Sequence, residues 1–304
     1  MKSKLYYLVR KFLGQHQRNE LKLVQYKIEK KLARYKKQFY GTFSEEDLFQ
    51  ELTSKLPTNY EILMVHSSYS NMLPNYQGKL TDLLHLFKRI CGDSKTLVMP
   101  AFFFGDRKYN YDINRYYTDH GEFQVDRTPS QMGLLTEIFR KHPEVQVSAH
   151  PTHRIAALGP LSQEIIADHE KCITGCGKGS PFDKMASKRT LILGCGTRYY
   201  QCMTQTHSPE DFLIESAAYP TRFELSKIPV RLKFNDGKTI DHILTLPDKT
   251  GYQRKLHPFL RKLLSNQEMF EWRFHGVPFF YAYAHPVQEA LLGAARRGKS
   301  AYSK

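Results

Sequence analysis

The residues best suited to chemistry lie in Thr204-Gln-Thr-His207-Ser-Pro-Glu210, just after the apolar run Thr190-Leu-Ile-Leu-Gly-Cys-Gly196. A histidine three residues ahead of a carboxylate at a helix start can be held in one tautomer by that carboxylate, as a general base requires. His207 could then take a proton from an amine, while Glu210 orients the ring and stabilises its imidazolium. Spacing alone leaves a second possibility open. His207 could merely cap the helix, with Glu210 in its first turn by dipole preference.

Other chemistry-bearing residues are weaker. The turn His66-Ser67-Ser68 offers backbone amides and hydroxyls that could stabilise an oxyanion, although His66 reads equally well as a buried, hydrogen-bonded histidine. His150 and His153 read as structural rather than as metal ligands. Gly175-Cys-Gly-Lys-Gly179 lacks the spacing of a nucleotide-hydrolysing phosphate loop and follows no strong strand, which leaves Lys178 only as a point charge for a phosphate. Cys91, Cys172, Cys176, Cys195 and Cys202 are an odd number in a long chain, which suits reduced thiols. Cys172 and Cys176 have no second pair at zinc spacing, so no metal is expected. A hydrolase pair of Cys202 with His207 finds no Gly-x-Ser-x-Gly elbow to support it.

The elements that must position these residues alternate. Tyr60–His66, Thr96–Pro100, Glu144–Ser148 and Leu191–Leu193 read as strands. Leu80–Cys91, Ser130–Lys141, Leu161–His169 and Pro209–Ala218 read as helices, and Ser44 caps an earlier one that ends before Pro57. His150–Gly159 reads as a loop, Gly175–Pro181 as a flexible loop, and the tyrosine-rich stretch 106–126 as a functional loop or lid. Beyond Pro220, alternating runs Ile228–Phe234 and Ile240–Leu246 around Asp236-Gly237 predict a β-hairpin. Arg254–Leu264 and Gln288–Ala295 look helical, Val277–Tyr283 looks like a late strand, and the end from Arg296 looks disordered. The expectation is an α/β fold with a mainly parallel central sheet flanked by helices, a C-terminal antiparallel hairpin and a basic N-terminal helical extension. That divides the chain into an extension over 1–56 and a catalytic body over 57–304.

Composition sets the outer limits. The chain has 304 residues, 41% hydrophobic and 25% charged, and no apolar run long enough to span a bilayer. Its start lacks the features of a signal peptide, which points to the cytoplasm. The formal net charge is +15, and from Met1 to Lys37 twelve basic residues face two acidic ones. A concentrated basic, amphipathic arm suits either a solvated helix face or an anionic membrane surface, with nucleic acid ranking lower.

The motifs, taken together, resemble the aminoglycoside 3-N-acetyltransferase family from about Tyr60 to Ala218. The matching pieces, in the family's order, are Val65-His-Ser-Ser68, Thr96-Leu-Val-Met-Pro-Ala101, Thr128-Pro-Ser-x-x-Gly133, and His150-Pro-Thr-His153 with Ala156-Ala-Leu-Gly159. They continue with Asp168-His169, Gly179-Ser-Pro181, Leu191-Ile-Leu-Gly194 and Thr204-x-x-His207-x-x-Glu210. The resemblance implies an acyl-coenzyme A-dependent N-acyltransferase using acetyl-coenzyme A or another acyl-coenzyme A and no metal. It makes His207 the catalytic base and Glu210 its partner. It puts His66, Ser67, Ser68, Gly179, Ser180 and Thr204 near the coenzyme's pantetheine arm and thioester. Met203 stands where members usually carry Asn, and Val147-Ser-Ala where they often carry Arg.

Net charge bears on the acceptor. A basic surface slows encounter with a polycation and favours an anionic partner. That points to a phosphate-bearing, nucleotide-linked or lipid-linked amino sugar of surface polysaccharide synthesis, with the arm holding the enzyme at the inner membrane surface. An antibiotic aminoglycoside is the first alternative, and a non-catalytic binding protein or the Cys/His hydrolase the second. Deleting residues 1–37 should weaken binding to anionic vesicles in a sedimentation assay more than it weakens catalysis in solution. Unchanged vesicle binding would refute the anchor.

Overall fold

The computed structural model describes residues 35–303 apart from 110, 219, 221, 222, 250 and 251. Most of the basic arm, and with it the predicted N-terminal helices, therefore lies outside the described residues. Helix α1, Glu45–Lys55, opens on the Ser44 cap and is closed by a reciprocal bond with Asp47. Leu48 and Leu52 of α1 lie in the same core cluster as Leu63 and Val65. The packed body thus reaches back ahead of the 56/57 boundary suggested by the sequence.

The middle of the central sheet is parallel: β1 (Ile62–Ser67) lies between β2 (Thr96–Pro100) and β6 (Thr190–Cys195). Antiparallel strands extend both sides. On one side are β5 (Ile155–Leu158) and β4 (Gln146–Val147), on the other β11 (Val277–Tyr283) and β10 (Met269–Phe274). The full order is β10-β11-β6-β1-β2-β5-β4. The three middle strands are buried along almost their whole length, which is why they read as continuous apolar runs. Alternation sends Leu63 and Val65 into one core layer with helices α1 and α2 (Leu80–Cys91). Ile62 and Met64 enter the other layer, with α4 (Pro181–Ala186) and α6 (Ala284–Arg296).

Two features needed more than local pattern. Residues 150–159 contain β5, because Ile155 to Leu158 pair with Pro100 to Leu97 at the flank of the parallel core. The lid also carries its own structure, a helix at Ile113–His120 and strand β3 at Glu122–Gln124. Strand β3 pairs with β7 (Leu225–Lys233), which forms the predicted hairpin with β8 (Thr239–Pro247). Phe103, Tyr117, Phe123, Val230, Leu232 and Leu244 unite lid and hairpin in one apolar cluster.

The base of the lid is clamped by arginines. Arg154 is fully buried beside the Phe123 ring and donates to the carbonyls of Val125, at 2.5 Å, and Thr128, at 2.8 Å. Arg140 of α3 (Leu134–Arg140) donates to Asp126 O at 2.7 Å and pairs with Glu137.

Residues 301–303 are not loose. Strand β12 (Tyr302–Ser303) pairs with β9 (Gln253–Arg254), Ala301 is buried, and the Tyr302 ring lies 5.3 Å from that of Phe223. The basic composition suggests disorder here, but a long-range strand pairing overrides it. Strand β9 likewise takes Arg254 out of the helix predicted to start there, which begins at Leu256.

Candidate active site

Strands β1, β2 and β6 are parallel, so their carboxyl ends share one edge of the sheet. With β1 between β2 and β6, the chain segments that leave these three strands emerge side by side beyond that edge, where ligands of such sheets bind. Four segments meet there: Ser67-Ser68, Phe102–Phe104, His150–His153 and the chain from Gly196 to His207.

Helix α5, His207–Glu215, begins at the histidine itself, so one turn brings Glu210 beneath the ring. His207 Nδ1 lies 3.4 Å from Glu210 Oε2. The pairing gives the proton to Nδ1 and leaves Nε2 as the basic nitrogen. The carboxylate is only 2% exposed and is held from other sides too. Arg254 Nη2 and Nε donate to Oε1 at 2.7 and 3.0 Å, Tyr302 Oη donates to Oε2 at 3.2 Å, and Lys249 Nζ lies 3.7 Å from Oε2. Arg254 also donates to Thr206 Oγ1 at 2.8 Å, which ties the start of the helix to the same cation.

Burial resists ionisation of Glu210, but the Arg254 charge, the His207 hydrogen bond and Lys249 outweigh it and hold the carboxyl well below its usual range. Burial and the nearby Arg254 push His207 down to about 4, against the pull of Glu210. With 31% of the side chain exposed, solvent tempers that push, and the ring is neutral at neutral pH on either count. This is the protonation state a base needs.

Sequence reasoning missed Arg254, Lys249 and Tyr302. Each is more than thirty residues from Glu210 along the chain, and no spacing rule links them. A buried glutamate does demand a cationic partner, but the partner's position could be known only from the β9–β12 pairing.

The other candidates are placed as follows. Ser67 and Ser68 are half-buried at the β1 edge, and the Ser68 amide is already committed to Cys195 O at 2.8 Å. His66 points into the layer of Ile62 and Met64, with Nε2 unpartnered among the described residues and its ring pushed down to about 3 by burial. Thr204 Oγ1 is buried and unpartnered on the same terms. Ser180 is fully buried and caps α4, its hydroxyl accepting from Asp183 N at 3.3 Å, while Gly179 has a φ of +76° and donates to Asp183 Oδ2. Met203, in place of the family's Asn, packs in the apolar cluster with Phe182 and Tyr199.

The 174–178 loop is pinned rather than flexible. Thr174 N and Lys178 N donate to the Glu215 carboxylate and Cys176 N to Asp211, so these amides hold protein acids. Among the described residues, no group of three His, Cys, Asp or Glu side chains could hold a metal ion, and no helix is long and apolar enough to cross a membrane.

A series of histidines runs inward from His207. The His153 and His207 rings are 6.4 Å apart, those of His150 and His153 6.0 Å, and His150 stacks on His169 at 4.7 Å. His169 bridges Ser148 and the Gly175 carbonyl, and His242 donates to Glu170 O. Burial lowers the basicity of all of them, with His169 pushed down to about 3. Folding therefore holds them neutral.

A model of the aminoglycoside 3-N-acetyltransferase family matches residues 64–264. Among solved structures, one titled AAC-IIIb binary with CoASH is similar at 18% identity and a TM-score of 0.68, covering 84% of this chain and 97% of that one. Aminoglycoside acetyltransferase AAC(3)-Xa is similar at 16% identity and a TM-score of 0.69, covering 88% and 96%. The YokD protein from Bacillus subtilis matches at 18% and 0.64, covering 82% and 97%.

The pH dependence of stability follows from the histidines. Each binds a proton less readily folded than at its ordinary value of 6.5, so the unfolded chain takes up more protons below that pH. Asp211, raised to about 6 by burial, contributes in the opposite sense: its stabilisation is present in acid and lost as pH rises through 6. Six histidines outweigh one aspartate. The melting temperature should be level above about pH 7 and fall steadily from 6.5 toward 4. A melting temperature that is flat or rising across that fall would contradict the neutral cluster.

Proposed function

Because the chain belongs to the aminoglycoside 3-N-acetyltransferase family, we propose that it moves an acetyl group from acetyl-coenzyme A to an amine of an aminoglycoside-type amino sugar, with His207 as general base. The observation that carries this reading is the His207 ring, 3.4 Å from a carboxylate that is itself fixed by Arg254, Lys249 and Tyr302.

The amine enters the reaction in its unprotonated form and attacks the thioester carbonyl. His207 Nε2 takes the proton that the nitrogen must lose, and Glu210 balances the imidazolium. The same proton is then available to the departing thiolate, so transfer is direct and His207 is restored. Residues at the strand edge suit the coenzyme. Ser67 and Ser68 stand half-buried at the strand edge, where their hydroxyls can meet the amides of a pantetheine arm. The similar AAC-IIIb structure, a binary complex with CoASH, supports the same donor.

The acceptor favoured by net charge alone is an anionic amino sugar, and the similarities favour the alternative. Related structures are titled as complexes with a gentamicin and with sisomicin. The exposed carboxylate of Asp106 lies two residues beyond Phe104, on the segment whose Phe102 packs on His153, but Arg107 and Lys108 follow it at once. The overall charge of +15 keeps the nucleotide-linked or phosphorylated amino sugar as a second reading. Attachment of the basic arm to an anionic membrane is a separate proposal.

Release of coenzyme A thiol from acetyl-coenzyme A, read with a thiol reagent across aminoglycosides and nucleotide amino sugars, decides among these. Turnover with an aminoglycoside is the expected result, and His207→Ala should lower kcat by about 10²- to 10⁴-fold with the fold intact. No turnover with any amine would sink the transferase reading. Retained activity in His207→Ala would remove that residue from the base role.

A further inference from the structure

Acyl transfer also needs a donor for the thioester oxygen as it gains negative charge. The Ser68 amide is spent on Cys195 O at 2.8 Å, and one N–H of the Asn71 side-chain amide goes to Gly196 O at 3.0 Å. Across the crevice from His207, His153 is held in a defined way. Its ring packs edge-on against Phe102 at 4.7 Å, and it fills the space that a side chain at Gly175 would take.

The tautomer of His153 follows from its neighbours. His150 Nδ1 receives the backbone N–H groups of Thr152 and His153 at 3.2 and 3.1 Å, so its single lone pair is in use. The Thr152 hydroxyl, 3.3 Å from that nitrogen, therefore turns its proton to His153 Nδ1, only 2.7 Å away. A neutral ring that accepts at Nδ1 carries its hydrogen on Nε2. His207, donating from Nδ1 to Glu210, has the reverse arrangement. One ring thus offers a bare nitrogen and the other an N–H, with centroids 6.4 Å apart, so that a thioester lying alongside both rings could meet the two nitrogens.

We propose that His153 is a second catalytic residue whose Nε2–H donates to the thioester carbonyl oxygen during the transfer. The inference rests on the acyl-transfer reading above. As the amine nitrogen bonds to the carbonyl carbon, its proton passes to His207 Nε2, and the carbonyl π pair moves to the oxygen, where the His153 N–H holds it. When the carbonyl reforms, the C–S bond breaks, its electron pair leaves on sulfur, and the proton on His207 neutralises the thiolate. His153 keeps its own proton throughout.

The test uses the full chain with acetyl-coenzyme A and the best acceptor from the panel. His153→Phe should lower kcat by about 10²- to 10³-fold while the KM for acetyl-coenzyme A stays within about threefold. His153→Gln, which restores a donor, should recover at least about tenfold over His153→Phe. In the unaltered protein, the infrared carbonyl band of carbon-13 acetyl-coenzyme A should move to lower frequency on binding. The proposal is overturned by a kcat in His153→Phe within threefold of the unaltered protein, by a Gln variant no better than Phe, or by an unshifted carbonyl band. A chain that turns over no amine would overturn the acyl-transfer reading itself, whereas an active chain with indifferent His153 variants overturns this inference alone.

Discussion

The buried carboxylate of Glu210 is the constraint around which the site is arranged. An ionised carboxyl enclosed in protein is tolerated only when its charge is matched and its lone pairs are used. Here Arg254, Lys249, Tyr302 and His207 divide that work between the two oxygens. These groups come from α5, the segment after β8, β9 and β12, so one anion draws the C-terminal third of the chain onto the helix that bears His207. The cost of leaving the charge unpaired is what gives the arrangement its rigidity, and a rigid carboxylate is what fixes the His207 ring.

The sheet supplies the second constraint. With β1 between β2 and β6, parallel strand ends place the Ser67 turn, the Phe102 segment and the chain leading to His207 on one edge. Antiparallel β5 then returns its start to the same edge, which brings His153 opposite His207. Arg154, next in sequence, is turned the other way and holds the base of the lid through two backbone carbonyls. Two adjacent residues thus serve the crevice and the lid that follows it, with β5 as their common support.

Local pattern made the layered architecture readable. The buried strands had continuous apolar runs, Leu80–Cys91 had a helical stripe that ends at Gly92, and Asp236-Gly237 marked the hairpin turn. The His207–Glu210 pair was readable too, because it is local to one helical turn. What stayed hidden depends on contacts distant in sequence. Strand β5 is four residues long and is defined by pairing with β2, and the Tyr302 strand is two residues long and is defined by pairing with β9. The cradle of Glu210 was invisible for the same reason. The composition of the lid announced a special loop, yet its packing on the β7–β8 hairpin required the fold.

The central claim is that His207 stands as a neutral imidazole with its proton on Nδ1, facing Glu210, and its basic nitrogen free for the amine. Nitrogen-15 NMR of the histidine side chains, assigned with His207→Gln, observes this directly at pH 7. The account predicts a neutral ring protonated at Nδ1 and bare at Nε2. An imidazolium at that pH, or a ring protonated at Nε2, would contradict it.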